Sequence, residues 1–160
     1  MTHRGRLAVA LYTVAAGAYL LDRLTKVLAV RFLAGKPPVQ VIPHVVQLRY
    51  TTNAGGAFGL FGSRPWLFFA ATLVVCAAIG VISFRLSSWA GAVGLGLILG
   101  GALGNLTDRI LRGPGVSGRV VDFIDFHVWP VFNAADSAIV VGALVILFAG
   151  LRRQPGADAR

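Results

Sequence analysis

Four long apolar stretches leave this chain few ways to fold. They cover residues 7–21 (continuing as a helix to about 30), 65–84, 89–111 and 133–151. Each supplies the roughly 20 helical residues needed to cross a bilayer core. Only 13% of the 160 residues are charged and 56% are hydrophobic, against about 25% charged in a soluble domain. The expected fold is an all-α integral membrane protein with four transmembrane helices, about 7–30, 65–84, 89–111 and 133–151. These spans make one membrane-embedded domain over residues 1–160, with a disordered tail over 152–160. The basic start before residues 7–21 has the outline of a secretory signal. Asp22, Arg23 and Lys26 follow without a small-x-small cleavage site, so this span is expected to be retained.

The formal charge of +9 raises the question of nucleic acid. The basic residues are scattered and flank the spans, which points to membrane lipid and away from nucleic acid. Cys76 is the single cysteine and lies within an apolar run, so it reads as a small packing residue. Hairpin connections between an even number of spans put both termini on one side, with Arg4, Arg6, Arg85, Arg152, Arg153 and Arg160. The other side carries Arg23, Lys26, Arg31, Lys36, Arg49, Arg64, Arg109, Arg112 and Arg119. That excess runs against cytoplasmic termini under the positive-inside rule, so charge alone leaves orientation open.

Between the first two spans, residues 39–52 are rich in β-branched side chains with partial alternation, which predicts strands. The run Asn53-Ala-Gly-Gly-Ala-Phe58 follows and predicts a Gly-rich bend, so a small β element is expected over about 39–62. Residues 112–130 read as a connecting loop. In the third span Gly96, Gly100 and Gly104 recur every fourth residue, either as a helix-packing stripe or as one smooth wall of a groove.

All six acidic residues are Asp, and five lie beside or inside apolar segments. Carboxylates are costly there and mark function by default. Hairpin topology gathers Asp22, Lys26, Asn53, Asn105, Asp108, Arg109, Asp122, Asn133 and Asp136 at one end of the bundle. Each also has an ordinary explanation. Asp22 and Lys26, at i and i+4, can form a helix-end ion pair. Asn105, Asp108 and Arg109 can form a polar helix terminus, and Asn133 with Asp136 can cap the fourth helix. Asp122 lies between Val120, Val121, Phe123 and Ile124, so it must find a partner or have its pKa raised. Asp125 reads more as an interfacial carboxylate than as a catalytic one. His3, His44 and His127 lack metal-ligand spacing, which argues against zinc. No nucleophile elbow or phosphate loop occurs, so no cofactor is implied. Paired carboxylates remain. Two Asp held close share a proton, and the ionised one activates water while the protonated one polarises a carbonyl. Asp122 and Asp136 are the best candidates.

Five blocks, in this order, resemble the bacterial lipoprotein signal peptidase (signal peptidase II) family across nearly the whole chain. They are Asp22-Arg-Leu-Thr-Lys26, Asn53-Ala-Gly-Gly-Ala-Phe58, Gly101-Ala-Leu-Gly104-Asn105-Leu-Thr-Asp108-Arg109, Val121-Asp122-Phe-Ile-Asp125-Phe and Phe132-Asn133-Ala-Ala-Asp136-Ser. The resemblance implies an aspartyl endopeptidase of the bacterial cytoplasmic membrane. Such an enzyme cuts prolipoproteins just before a cysteine carrying a diacylglyceryl group. It implies Asp122 and Asp136 as the catalytic dyad. Asn53, Asn105, Arg109 and Asn133 would hold substrate backbone, with Gly104 among the residues around the site. Asp22 and Lys26 would act as supports, and Asp108 would buttress Arg109. It also implies cytoplasmic termini and an active site facing outward. Gly56 stands where a small residue such as Ala is common in the family. A proton-linked transporter using Asp22, Asp108 and Asp136 as a relay is the alternative from another class. A structural membrane subunit is a third.

Overall fold

The computed structural model describes residues 1–54 and 65–152. Thr2 starts the first helix, its hydroxyl accepting the Gly5 N–H at 3.2 Å. Helix α1 then runs His3–Leu33, 31 residues. It begins earlier and ends later than the expected span. At 1.5 Å per residue it is about 46 Å long, well over the roughly 30 Å hydrocarbon core. Its buried positions are Leu7, Leu11, Ala15, Asp22, Lys26, Ala29 and Leu33. These spacings of three and four residues form one stripe. The stripe is apolar near the N-terminus and turns ionic at Asp22 and Lys26.

Helices α2 (Pro65–Ser83), α3 (Trp89–Leu111) and α4 (Ala134–Leu151) complete the set. Among the described residues, four helices are long and apolar enough to cross a membrane. Helix α3 is central, packed on α1, α4 and α2. Its small residues make that possible. A Cβ at Gly96 would stand 2.6 Å from the Leu11 carbonyl oxygen, and one at Gly100 would collide with the Ala15 carbonyl. On another face, Gly101 meets the Ala135 carbonyl, and Gly94 and Gly142 pack backbone to backbone. The stripe at Gly96, Gly100 and Gly104 is therefore the seam with α1 and does not wall a groove, because a side chain there would meet the neighbouring backbone. Leu7, Leu11, Ala15, Ile79, Leu86, Ala92 and Leu99 form the buried cluster at the end away from the Asp residues.

Strands β1 (Val39–Ile42) and β2 (Val46–Asn53) form an antiparallel hairpin within the predicted β element. His44 turns it at a φ of 62°. The Gly-rich bend beyond Ala54, the rest of that predicted element to residue 62, and the tail from residue 153 lie outside the described residues. A third strand, β3 (Val120–Asp125), falls within the region read as a loop. It pairs antiparallel with β2, giving the order β1-β2-β3. Val121 and Phe123 pack with Ala29 and Leu33 of α1, so strand alternation turns Asp122 the other way. That packing makes the projecting end of α1 the floor of the sheet.

Candidate active site

Asn133 joins the pieces. As N-cap of α4 its Oδ1 accepts the Asp136 N–H at 3.0 Å, and the Asp136 carboxylate accepts the Asn133 N–H at 3.3 Å. The cap leaves the side-chain amide of Asn133 free to point inward. Nδ2 donates to Asp122 Oδ1 at 2.6 Å and contacts the Val121 carbonyl and Asn105 Oδ1 at 3.2 Å each. The capping explanation of Asn133 and its place in the site hold together. Asn105 completes the link, its Nδ2 donating to Asp136 Oδ1 at 2.8 Å. Asn53, at the end of β2, also hydrogen-bonds Asp122. Asp122 from β3 and Asp136 from α4 are thus held by a common set of amides.

Asp122 is 2% exposed. Burial first, and the charge of Asp136 second, push its carboxyl up to about 7 despite the hydrogen bonds from Asn133 and Asn53. A carboxyl there exchanges protons readily at neutral pH. Asp136 is half-buried and lines a cavity of about 440 Å³ together with Asn53, Asn105 and Arg109. The rest of its lining is mostly apolar and includes Phe68 and Val75 of α2 and Ile139 of α4. The cavity therefore offers polar groups at the carboxylate end and hydrocarbon beside it. A second concavity of about 400 Å³ lies at the hairpin turn, lined by Gln40, Pro43, His44 and His127 without a carboxylate.

Lys26, Asp22 and Asp108 are buried together. Lys26 Nζ lies 2.9 Å from Asp22 Oδ2 and 3.2 Å from Asp108 Oδ2, and it donates to Asn105 Oδ1 at 2.8 Å. Asp22 reaches this place because Gly104 has no Cβ; one there would overlap its carboxylate. Asp108 holds Arg23 at 2.6 Å and Arg112 at 2.8 Å, and it accepts the Val121 N–H at 3.1 Å. The resemblance implied a buttress for Arg109, but these bonds go elsewhere. Arg109 acts on Asp108 through charge, as it does on Asp122 and Asp136. Arg109 is 8% exposed, its guanidinium stacks 5.2 Å over Phe68, and its Nη1 has no hydrogen-bond partner among the described residues.

Asp125 belongs to the sheet. It accepts from Gln47 at 2.8 Å, from Arg49 at 2.5 Å and from the His127 N–H at 2.8 Å. Burial pushes its carboxyl up, but these donors outweigh burial and hold it at about 2. The sequence reading missed Arg23, Arg112 and Phe68 as neighbours of the site. The i, i+4 spacing of Asp108 and Arg112 was a readable signal; the other two come from distant elements. The described Asp residues crowd one end of the bundle and form no path across it, which weighs against a proton relay.

A family model described as signal peptidase (SPase) II matches residues 14–152. The lipoprotein signal peptidase of Rhodococcus jostii RHA1 is 46% identical over 153 residues, covering 92% of this chain and 74% of that protein. That of Desulfitobacterium hafniense DCB-2 is 46% identical over 133 residues, covering 81% and 84%. A bacterial membrane enzyme solved by the in meso method matches with a TM-score of 0.79 at 27% identity, over 94% of both chains.

Proposed function

We propose that this chain, which belongs to the signal peptidase II family, cleaves lipoprotein precursors by aspartyl chemistry at Asp122 and Asp136. It is a multi-pass membrane peptidase; the reading as a single membrane-embedded domain, the catalytic type and the residue roles are ours. The observation that carries the reading is the meeting of two carboxylates, from β3 and α4, on Asn133, with that of Asp136 lining an amphipathic cavity. In the proposed reaction the dyad holds one proton. Its ionised carboxylate takes a proton from water, and the resulting hydroxide equivalent attacks the scissile carbonyl carbon. The protonated carboxyl gives its proton to the carbonyl oxygen, forming a tetrahedral diol. The C–N bond then breaks as one dyad proton passes to the leaving amine and a diol hydroxyl proton returns to the dyad, restoring its single shared proton. Burial drives Asp122 toward the protonated role.

Arg109, Asn53 and Asn105 line the cavity and offer donors to substrate backbone carbonyls. The apolar side formed by α2 and α4 suits the diacylglyceryl group of a modified cysteine. Helix α2 packs on α3, and α4 packs on α3 and α1, so the substrate lipid would enter sideways between α2 and α4. No cofactor is required for this chemistry. The proposed setting is the bacterial cytoplasmic membrane, with cytoplasmic termini and the site on the outer face.

The test is cleavage of a diacylglyceryl-modified prolipoprotein and of its unmodified form by purified enzyme. Wild type should cut the modified form alone, and Asp122→Asn or Asp136→Asn should lose at least about 10³-fold in kcat. Wild-type rates in either variant would remove the dyad, and equal cleavage of both substrates would remove the lipid requirement.

A further inference from the structure

The residue just before each proposed catalytic aspartate has its main-chain N–H held by another buried carboxylate. Asp108 Oδ2 accepts from Val121 N at 3.1 Å, immediately ahead of Asp122. Asp22 Oδ1 accepts from Ala135 N at 3.0 Å, immediately ahead of Asp136. Ala135 is in the first turn of α4, where an N–H has no acceptor within its own helix. Val121 is on β3, an edge strand with one side turned away from β2. Both bonds therefore use donors that regular structure leaves over.

The two acceptors meet on one cation. Lys26 Nζ lies 2.9 Å from Asp22 and 3.2 Å from Asp108, with all three side chains fully buried. The same ammonium donates to Asn105, which donates to Asp136. Arg23 and Arg112 hold the remaining oxygen of Asp108 from outside. Burying such a group carries a large desolvation cost per ion, and an apolar replacement of similar volume is often as stable or more so. What charge and hydrogen bonding supply here is direction: two acceptor oxygens fixed relative to one another and to α1 and α3.

We infer that Asp22, Lys26 and Asp108 are positioning residues that set the separation of Asp122 and Asp136 through the Ala135 and Val121 N–H groups. This rests on the dyad reading above. Proton sharing depends on that separation, and a misplacement of about 1 Å can cost about 10²-fold in rate. Lys26 from α1 and Arg109 from α3 are the cations facing the pair, Asp22 and Asp108 the other acids, and α2 carries no charged residue.

Paired substitutions separate this role from a plain ion pair. Asp22→Ala and Asp22→Asn both lose the charge, but Asn keeps an oxygen for the Ala135 N–H; Asp108→Ala and Asp108→Asn compare likewise at Val121. With lipidated precursor in detergent, each Ala variant should lower kcat by about 10²-fold, leave KM within a few-fold, and draw the limbs of the pH–rate profile together. Each Asn variant should recover about tenfold in kcat and the wild-type spacing of the limbs. Equal kcat and equal profiles for Asn and Ala would overturn the inference. If an alanine variant fails to fold, an ester in place of the peptide bond entering Ala135 removes the N–H alone. An unchanged profile there would also overturn it. Asp122→Asn and Asp136→Asn in the same assay isolate the dyad reading. If they are inactive while the Asp22 and Asp108 variants match wild type, only the positioning role falls; if they are active, the dyad itself does.

Discussion

A carboxyl group held near neutrality inside a protein works against its own fold at high pH. Asp122 is pushed from an ordinary 3.8 to about 7, by burial first and by Asp136 second. Below the ordinary value both folded and unfolded chains carry the proton, and Asp122 makes no difference to stability. Between about 4 and 7 the folded chain binds the proton more tightly, so stability declines as pH rises, and above about 7 the whole cost is present. At about 1.4 kcal/mol per unit this is a few kcal/mol. Asp125 has the opposite sign. Its donors stabilise the fold above the ordinary carboxyl pKa, and that contribution disappears as pH falls through about 2. For Asp122→Asn we therefore expect thermal unfolding in detergent to move above wild type at pH 8 and to coincide with it near pH 4, while cleavage is lost. A lower melting temperature than wild type at pH 8 would show that the cost at Asp122 has been assigned wrongly.

Among elements, the seam between α1 and α3 is what brings an ion pair into the interior. The buried stripe of α1 changes from Leu7, Leu11 and Ala15 to Asp22 and Lys26 without leaving the helix face, and α3 answers with glycine. Gly104→Ala places a methyl group on the Asp22 carboxylate. It should cost about 1–3 kcal/mol, as overpacking does, and reduce cleavage with it. Gly17, with nothing within 4 Å of a Cβ, is the control: Gly17→Ala should leave cleavage intact and raise stability by up to about 1 kcal/mol. Comparable unfolding temperatures for the two variants would contradict the seam. The long apolar runs that define these helices were legible in the sequence, as were strands between the first two spans and the convergence of polar groups. Strand β3 was not, because it is buried on nearly every residue and its Val-Val-Asp-Phe-Ile-Asp run lacks clean alternation. Nor could the sequence show Arg23 reaching Asp108, since their meeting depends on how close the glycine seam lets α1 and α3 approach.

For the whole molecule, the open question from sequence was why the cations crowd the end proposed to face outward. The fold ties most of them down. Arg23, Lys26 and Arg112 converge on Asp108, Arg49 pairs with Asp125, Arg119 bonds the hydroxyl and carbonyl of Thr52, and Arg109 stacks on Phe68 beside the dyad. Arg31 lies 5.6 Å over Phe32. Arg4, Arg6 and Arg85 gather at the other end, where α1 and α2 meet through Tyr12 and Ser83 and where Arg6 and Trp89 line one concavity. Every described Asp is away from that end. The positive-inside bias counts Lys and Arg and is not a net-charge rule, so these pairings say what the cations do in the fold and do not by themselves fix orientation. Cytoplasmic termini are the proposed orientation. The check is cysteine labelling in a Cys76→Ser background. Lys36→Cys, in the turn after α1, should react with a membrane-impermeant maleimide on intact cells. Arg85→Cys, between α2 and α3, should react only after the membrane is opened. The reverse pattern would invert the proposed orientation and place the dyad on the cytoplasmic face. Labelling of Lys36→Cys alone on intact cells would support the proposed orientation against the raw charge count.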